Sequence, residues 1–238
     1  SKIQSEVVRN KKRFTVISAG RRSGKTTLAI REMCRQATQP KQNIWYVTSS
    51  YRAAKMIAFK QLKEVLLNLN WVDKINESEL MVTLKNGSQI SLKGSDNGGQ
   101  NLRGVKLTYC VIDEAAYVDG TVFYEVIRPA LADSQGGCMI ISTPAGKSNW
   151  FFDVFQREKD DPANWKSFQY TTIQGGFVPK EEIEQAKTEL SESQFNQEFN
   201  ATFQNLGSQI AYAWDRDKHI KEAPSTLNLR QLEIGCDF

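Results

Sequence analysis

The sequence predicts an α/β fold, a mainly parallel central sheet flanked by helices with a small helical lid subdomain appended. Three observations predict it. The β-branched apolar run Phe14-Thr15-Val16-Ile17 leads into Ala19-Gly20-Arg21-Arg22-Ser23-Gly24-Lys25-Thr26, and a helix-like stretch, Thr27-Leu28-Ala29-Ile30, follows. A second run, Leu107-Thr108-Tyr109-Cys110-Val111-Ile112, ends in Asp113-Glu114. A third, Cys138-Met139-Ile140-Ile141, ends in Ser142-Thr143-Pro144. Buried parallel strands read as near-continuous apolar runs, and open α/β sheets bind ligands beyond the carboxyl ends of their strands. All three runs place polar, chemically useful groups there.

The first segment has the strand, glycine-rich turn, Lys-Thr and helix of a P-loop, G-x-x-x-x-G-K-[ST]. Backbone N–H groups of such a turn, with the helix N-terminus, form a nest for phosphate oxygens. Lys25 is placed to reach the β- and γ-phosphates and the Thr26 hydroxyl to ligate Mg²⁺. The first glycine of the pattern is Ala19 here, while Gly20 and Gly24 still permit the tight turn.

Further along, Ile44-Trp45-Tyr46-Val47 reads as a second buried strand. From Arg52 to Leu69, Ala54, Ile57, Ala58, Leu62, Val65, Leu66 and Leu69 recur at helical spacing. Arg52, Lys55, Lys60 and Lys63 between them read as a solvated face. Met81–Leu84 and Ile90–Leu92 flank Asn86-Gly87, a hairpin signal. The stretch from Gly94 to Gly104 is too glycine-rich for a helix and reads as a candidate mobile loop.

Asp113-Glu114 after an apolar strand is the Walker B pattern. Asp113 is expected to hold Mg²⁺ through water, and Glu114 to orient and deprotonate the attacking water. The strand ending in Ser142-Thr143 is expected between the P-loop strand and the Walker B strand. That additional strand, with a catalytic Glu, marks the P-loop class that includes helicases and translocases. Ser142 and Thr143 are then placed to sense the γ-phosphate and couple it to motion. Trp165–Thr171 alternates as a strand, and Pro179-Lys180-Glu181-Glu182 reads as a helix start. Phe195, Phe199 and Phe203 lie at i, i+4 and i+8, an expected helix core.

Composition bounds the remainder. With 238 residues and 40% hydrophobic content, the chain can build one large domain, or one with a small appendage. No apolar stretch reaches the roughly 20 residues that cross a bilayer. Four cysteines without C-x-x-C spacing read as free thiols, and a single His219 excludes an ordinary zinc site. A net charge of +4 permits a nucleic-acid partner without demanding one.

These residues carry a resemblance. Gly20-Arg21-Arg22-Ser23-Gly24-Lys25-Thr26 resembles the G-R-x-S-G-K-[ST] loop of the ATPase domain of the large terminase subunit of tailed bacteriophages, and Ser142-Thr143-Pro144 its coupling motif. Ser193–Phe199 resembles its lid helix, and Asn101-Leu102-Arg103-Gly104 the loop carrying its trans-acting arginine finger. The resemblance implies that Arg103 joins Lys25 and Glu114 in catalysis and that Gln4 reads the adenine edge. Nucleotide binding then falls to Gln4 and to Gly20, Arg21, Arg22, Ser23, Gly24, Lys25, Thr26 and Thr27. It further implies ATP and Mg²⁺ as cofactors, and double-stranded DNA, a portal protein and a small terminase subunit as partners. A homo-oligomeric ring in the cytoplasm of the infected bacterial host is implied as well.

Leu232–Phe238 is similar to the first strand of the family's ribonuclease H-like nuclease domain, with Asp237 as its first metal ligand. A two-metal nuclease needs several more carboxylates. The expected organisation is an ATPase core over 1–175, a lid and linker over 176–230 and the start of a truncated nuclease domain over 231–238. A helicase-like DNA translocase, or a nucleotide-binding switch or scaffold without turnover, remain alternatives on these residues, and Glu114 weighs against the latter.

Overall fold

A computed structural model of the chain describes residues 1–96, 99 and 102–204. Helix α1 (Lys2–Asn10) precedes β1 (Phe14–Ala19), α2 (Lys25–Gln36) and β2 (Asn43–Thr48). Helix α3 spans 51–68 and contains a π-helical turn at Lys55–Phe59. Strands β3 (Val72–Asn76), β4 (Met81–Leu84), β5 (Gln89–Gly94) and β6 (Tyr109–Asp113) follow. Then come helix α4 over 122–130, β7 (Gly137–Ser142), α5 (Trp150–Gln156) and β8 (Trp165–Tyr170). Three short helices close the described chain: α6 (Thr172–Gly175), α7 (Lys180–Glu189) and α8 (Glu192–Glu198).

The strands form one sheet in the order β3-β4-β5-β2-β6-β7-β1-β8. Every pair from β5 to β8 is parallel, and β3-β4-β5 is an antiparallel edge. Strand β7 lies between β1 and β6, with Ser18 opposite Ser142 and Asp113 opposite Ile141. The three polar strand ends therefore meet at one edge of the sheet, as the sequence requires.

Both faces of the central strands are buried, and the period of two sorts them. Ile17, Tyr46, Val111, Met139 and Ile141 pack on one face with α1, α2 and α3. Val16, Val47, Cys110, Ile112 and Ile140 pack on the other with α4, α5 and Phe203. Strands buried on both faces have no solvated side to mark with polar residues, which is why they read as unbroken apolar runs. Cys34, Cys110 and Cys138 are free and buried within these layers.

Several elements differ from the sequence expectation. Helix α1, strand β3 and helices α4 and α5 carry no clear signal in the sequence. The π turn adds a residue to one coil of α3, so Phe59 turns inward and Ile57 outward. Leu69 also faces solvent. The phenylalanine stripe is not one helix. Helix α8 ends at Glu198, Ala201 takes a left-handed backbone (φ 55°), and Phe203 packs on Phe151, Phe152 and Phe155. Only Phe195 and Phe199 stack on each other, at 5.1 Å. Gly94 is the last residue of β5, and two residues of the segment after it are held in place. Asp96 accepts from the Tyr51 N–H at 3.0 Å, and Leu102 is buried in the second core. No described helix is long and apolar enough to cross a membrane.

The packing of α3 gives a direct test. Leu62 is fully buried, whereas Met56, within the π turn, is 72% exposed. Leu62→Ala is expected to cost about 2–5 kcal/mol in urea unfolding. Met56→Ala is expected to stay within about 0.5 kcal/mol of the parent.

Candidate active site

Ala19 is the final, buried residue of β1 and keeps ordinary strand backbone, so no glycine is required where the pattern departs. The loop then curls through left-handed backbone at Arg22 (φ 53°) and Gly24 (φ 85°), the geometry from which consecutive N–H groups build an anion concavity. Ser23 braces it from within, its hydroxyl donating to the Gly20 carbonyl at 2.6 Å. Gly20 has no room for a side chain: a Cβ would lie 2.4 Å from the Thr172 hydroxyl and 2.5 Å from the Phe199 carbonyl. The loop is thereby clasped by the segment after β8.

Lys25 opens α2 and turns back into the loop. Its ammonium donates to the carbonyls of Ala19 (3.0 Å) and Gly20 (2.9 Å) and to Thr143 Oγ1 (3.2 Å). Burial lowers its pKa, against the attraction of Glu114 and Asp113. Thr26 Oγ1 donates to Asp113 Oδ2 at 2.9 Å, joining the P-loop helix to the end of β6. Tyr46, from β2, donates to the same carboxylate oxygen at 2.5 Å, and the Glu114 N–H donates to Oδ1 at 2.8 Å. Burial, followed by the Asp113 charge, pushes the Tyr46 phenol well above its usual pKa. Sequence reasoning missed Tyr46. It sits inside an apolar strand with no motif around it, and its only signal is a hydroxyl in an otherwise apolar run.

Glu114 takes a left-handed backbone (φ 52°), uncommon for a residue with a side chain. This directs the chain into a 3₁₀ turn, Ala115–Tyr117. The turn is tied to β7, since the Ala116 N–H donates to Ser142 Oγ at 3.2 Å. Ser142 and Thr143 thus contact the two sides of the site, Ser142 the turn after Glu114 and Thr143 the Lys25 ammonium. Arg21, Arg22, Ser23, Gly24, Lys25, Thr26, Thr27, Glu114 and Thr143 all line one cavity of about 690 Å³, with Ser49, Tyr117 and Phe177.

Other candidate residues lie differently. The Arg21 guanidinium pairs with Glu198 of α8, and that hydrogen bond raises its pKa. Thr27 Oγ1 accepts from Gln61 of α3 at 3.1 Å. Gln4, buried in α1, donates to the Gly24 carbonyl at 3.1 Å and accepts from the Ser1 nitrogen at 3.2 Å. One amide hydrogen and one lone pair remain for another partner. Arg103 lines a different cavity and pairs with Glu125 of α4 at 2.9 Å on the surface. It does not reach the P-loop of its own chain. Asp237 and His219 lie outside the described residues.

A doubly covered parallel sheet with a phosphate-binding loop beside a strand-end carboxylate pair defines a P-loop nucleotide-binding protein. The family described as terminase large subunit, T4likevirus-type, N-terminal, matches residues 16–215, and the chain belongs to it. The large terminase subunit of Escherichia phage T5 is 27% identical over 214 residues, 88% of this chain and 48% of that protein. The chain thus spans about half the length of that relative, and 35% of the Thermus phage G20c large terminase subunit. Among solved structures, the Thermus phage P74-26 large terminase ATPase domain superposes with a TM-score of 0.72 at 24% identity, covering 84% of this chain and 92% of that one. The large terminase of bacteriophage D6E in complex with ATP-γ-S superposes at 0.72 with 20% identity, over 92% and 56%.

The electrostatics of Glu114 predict a pH dependence. Burial first, then the Asp113 charge, raise its pKa above 4.5, against the pull of Lys25 and Arg21. The folded state holds this proton more tightly than the unfolded chain does. Ionised Glu114 therefore subtracts stability above its folded pKa, and the subtraction vanishes below 4.5. Glu114→Gln is expected to raise the apo melting temperature at pH 7, with the gain shrinking as pH falls towards 4. Melting curves across that range check it, and a gain that grows on acidification contradicts it.

Proposed function

We propose that this chain hydrolyses ATP and is the ATPase part of a viral DNA-packaging motor. The observation that carries the reading is the Thr26 Oγ1 to Asp113 Oδ2 hydrogen bond, which joins the Walker A and Walker B elements beside Glu114. Family membership supports the same conclusion, as does the D6E protein's complex with ATP-γ-S.

The residues fit Mg²⁺. A P-loop metal takes a hydroxyl and a carboxylate from the protein and completes its shell with water and phosphate oxygens. Thr26 and Asp113 offer hard oxygen donors already in contact. Bound there, Mg²⁺ would neutralise charge on the β- and γ-phosphate oxygens.

The chain's own residues do the rest. Loop amides and the Lys25 ammonium bind the phosphates, and Thr143 holds that ammonium in place. Glu114, with a pKa raised towards the working range of a base, takes a proton from water as that water attacks the γ-phosphorus. The bond to the β,γ-bridging oxygen breaks, leaving ADP and inorganic phosphate. Gln4, with its remaining donor and acceptor, reads the adenine edge. Arg103 acts on a neighbouring subunit's nucleotide, where its planar, permanently charged fork matches phosphate oxygens.

In this reading double-stranded DNA is translocated into a procapsid, with a portal protein and small terminase subunit as partners and a homo-oligomeric ring as the working assembly. The site of action is the cytoplasm of the infected bacterial host. Residues 1–175 form the ATPase core, 176–230 lid and linker, and 231–238, with Asp237, the start of a nuclease domain.

Lys25→Ala is expected to weaken ATP binding and abolish turnover, whereas Glu114→Gln should bind ATP and not cleave it. Steady-state phosphate release and equilibrium binding separate the two. Normal hydrolysis by Lys25→Ala would overturn the assignment. Arg103→Ala should bind ATP normally and lose about 10³–10⁵ in assembled turnover if the finger acts as others do. Mixed with Glu114→Gln under assembling conditions, it should recover hydrolysis at sites where an intact base faces an intact finger. A co-assembled mixture that stays inactive counts against action in trans.

A further inference from the structure

The rim of the phosphate cavity carries an aromatic side chain that the hydrolytic reading leaves unused. Phe177 follows Gly176, whose left-handed backbone (φ 76°) ends α6. The residue is 55% exposed, yet its ring is seated against the P-loop. A Cβ added to Gly24 would lie 2.5 Å from Phe177 Cε2 and 2.7 Å from Gln4 Nε2. The ring edge and the Gln4 amide therefore converge on one glycine, at the point where the loop enters α2. Only the missing side chain of Gly24 lets both approach so closely.

The two ends of the cavity are chemically distinct. Glu114, before the 3₁₀ turn after β6, and Tyr117, within it, mark the end where the terminal phosphate would be attacked. Phe177 stands against Gly24 beside Gln4, away from that turn along the loop. A nucleotide whose γ-phosphate faces Glu114 must direct its base away from that end. The cavity, at about 690 Å³, is larger than a phosphate chain fills. A purine presents a flat, weakly hydrated face, and a half-exposed phenyl ring is the complementary surface.

We propose that Phe177 is the platform on which the base of the bound nucleotide stacks. The proposal rests on the nucleotide-binding reading above and adds a residue and a role to it. Stacking reads a face, which every base has, so Phe177 supplies affinity without choosing among bases. Choice among them is left to edge contacts, the role the nucleotide-binding reading gives to Gln4.

The test compares two ligands on the 238-residue chain with Mg²⁺ present. ATP has a base, and inorganic tripolyphosphate has the same phosphate chain without one. Phe177→Ala is expected to weaken ATP binding roughly five- to a hundredfold, the range of a lost base–aromatic stack, and to leave tripolyphosphate affinity unchanged. Phe177→Trp should restore ATP affinity, and Phe177→Leu, apolar but without a π face, should restore it only in part. Equal losses for both ligands would show that the ring merely supports the loop and would overturn the proposal. Unchanged ATP affinity in Phe177→Ala would overturn it too. Failure of the unsubstituted chain to bind ATP would instead remove the reading on which the proposal stands.

Discussion

The Lys25 ammonium sits among oxygens that carry no full charge: the carbonyls of Ala19 and Gly20 and the hydroxyl of Thr143. Taking a cation out of water is costly, and three neutral acceptors compensate only in part. The lowered pKa of Lys25 records that deficit. An anion placed in the loop removes it, because a phosphate oxygen provides the negative charge that the protein withholds. Much of the surrounding geometry follows from holding one charge in readiness. The loop curls so that its carbonyls face the ammonium, the residue after β7 offers a hydroxyl that reaches it, and the carboxylates of Asp113 and Glu114 attract it without taking it as a bonded partner.

Strand β7 joins the two halves of this arrangement. Its insertion between β1 and β6 gives the P-loop strand and the carboxylate strand a common neighbour. Two consecutive side chains at its end then divide the task, Thr143 holding Lys25 and Ser142 holding the turn behind Glu114. Two adjacent residues at the end of β7 thus touch both Lys25 and the turn that follows Glu114.

The parts of this design that are legible in the sequence are those with their own local signature. The P-loop, the Asp113-Glu114 strand end and the Ser142-Thr143 strand end each combine an apolar run with a chemically specific terminus. The β4–β5 hairpin announces itself through Asn86-Gly87. Elements whose identity depends on tertiary packing are not legible. Helix α1 buries only Gln4 and Val7, too few positions to establish a period. Strand β3 is an exposed edge strand, and α4 consists largely of a π turn, which breaks the 3.6-residue repeat by one. The phenylalanine stripe misleads for a related reason: regular spacing continues past Glu198, while the backbone turns at Ala201. Tyr46 and the Arg21–Glu198 pair depend on contacts between segments far apart in the chain, and no spacing rule addresses those.

The clasp on Gly20 has a mechanical meaning. After α8 the chain is fastened along the rim of the site at successive points. The Glu198 carbonyl accepts from the Arg21 N–H, the Phe199 carbonyl from the Thr172 N–H, and the Ala201 carbonyl from both Ser18 Oγ and Gln169 Nε2. Bonds ranged along a strap share a tensile load, whereas bonds opened one at a time do not. A pull on the chain beyond residue 204 would therefore load the Phe203 packing on α5 first, and then β1, β8 and the phosphate loop together. The strap places the nucleotide pocket in the load path of whatever that end of the chain is attached to, much as a strain gauge is bonded to the beam it reads.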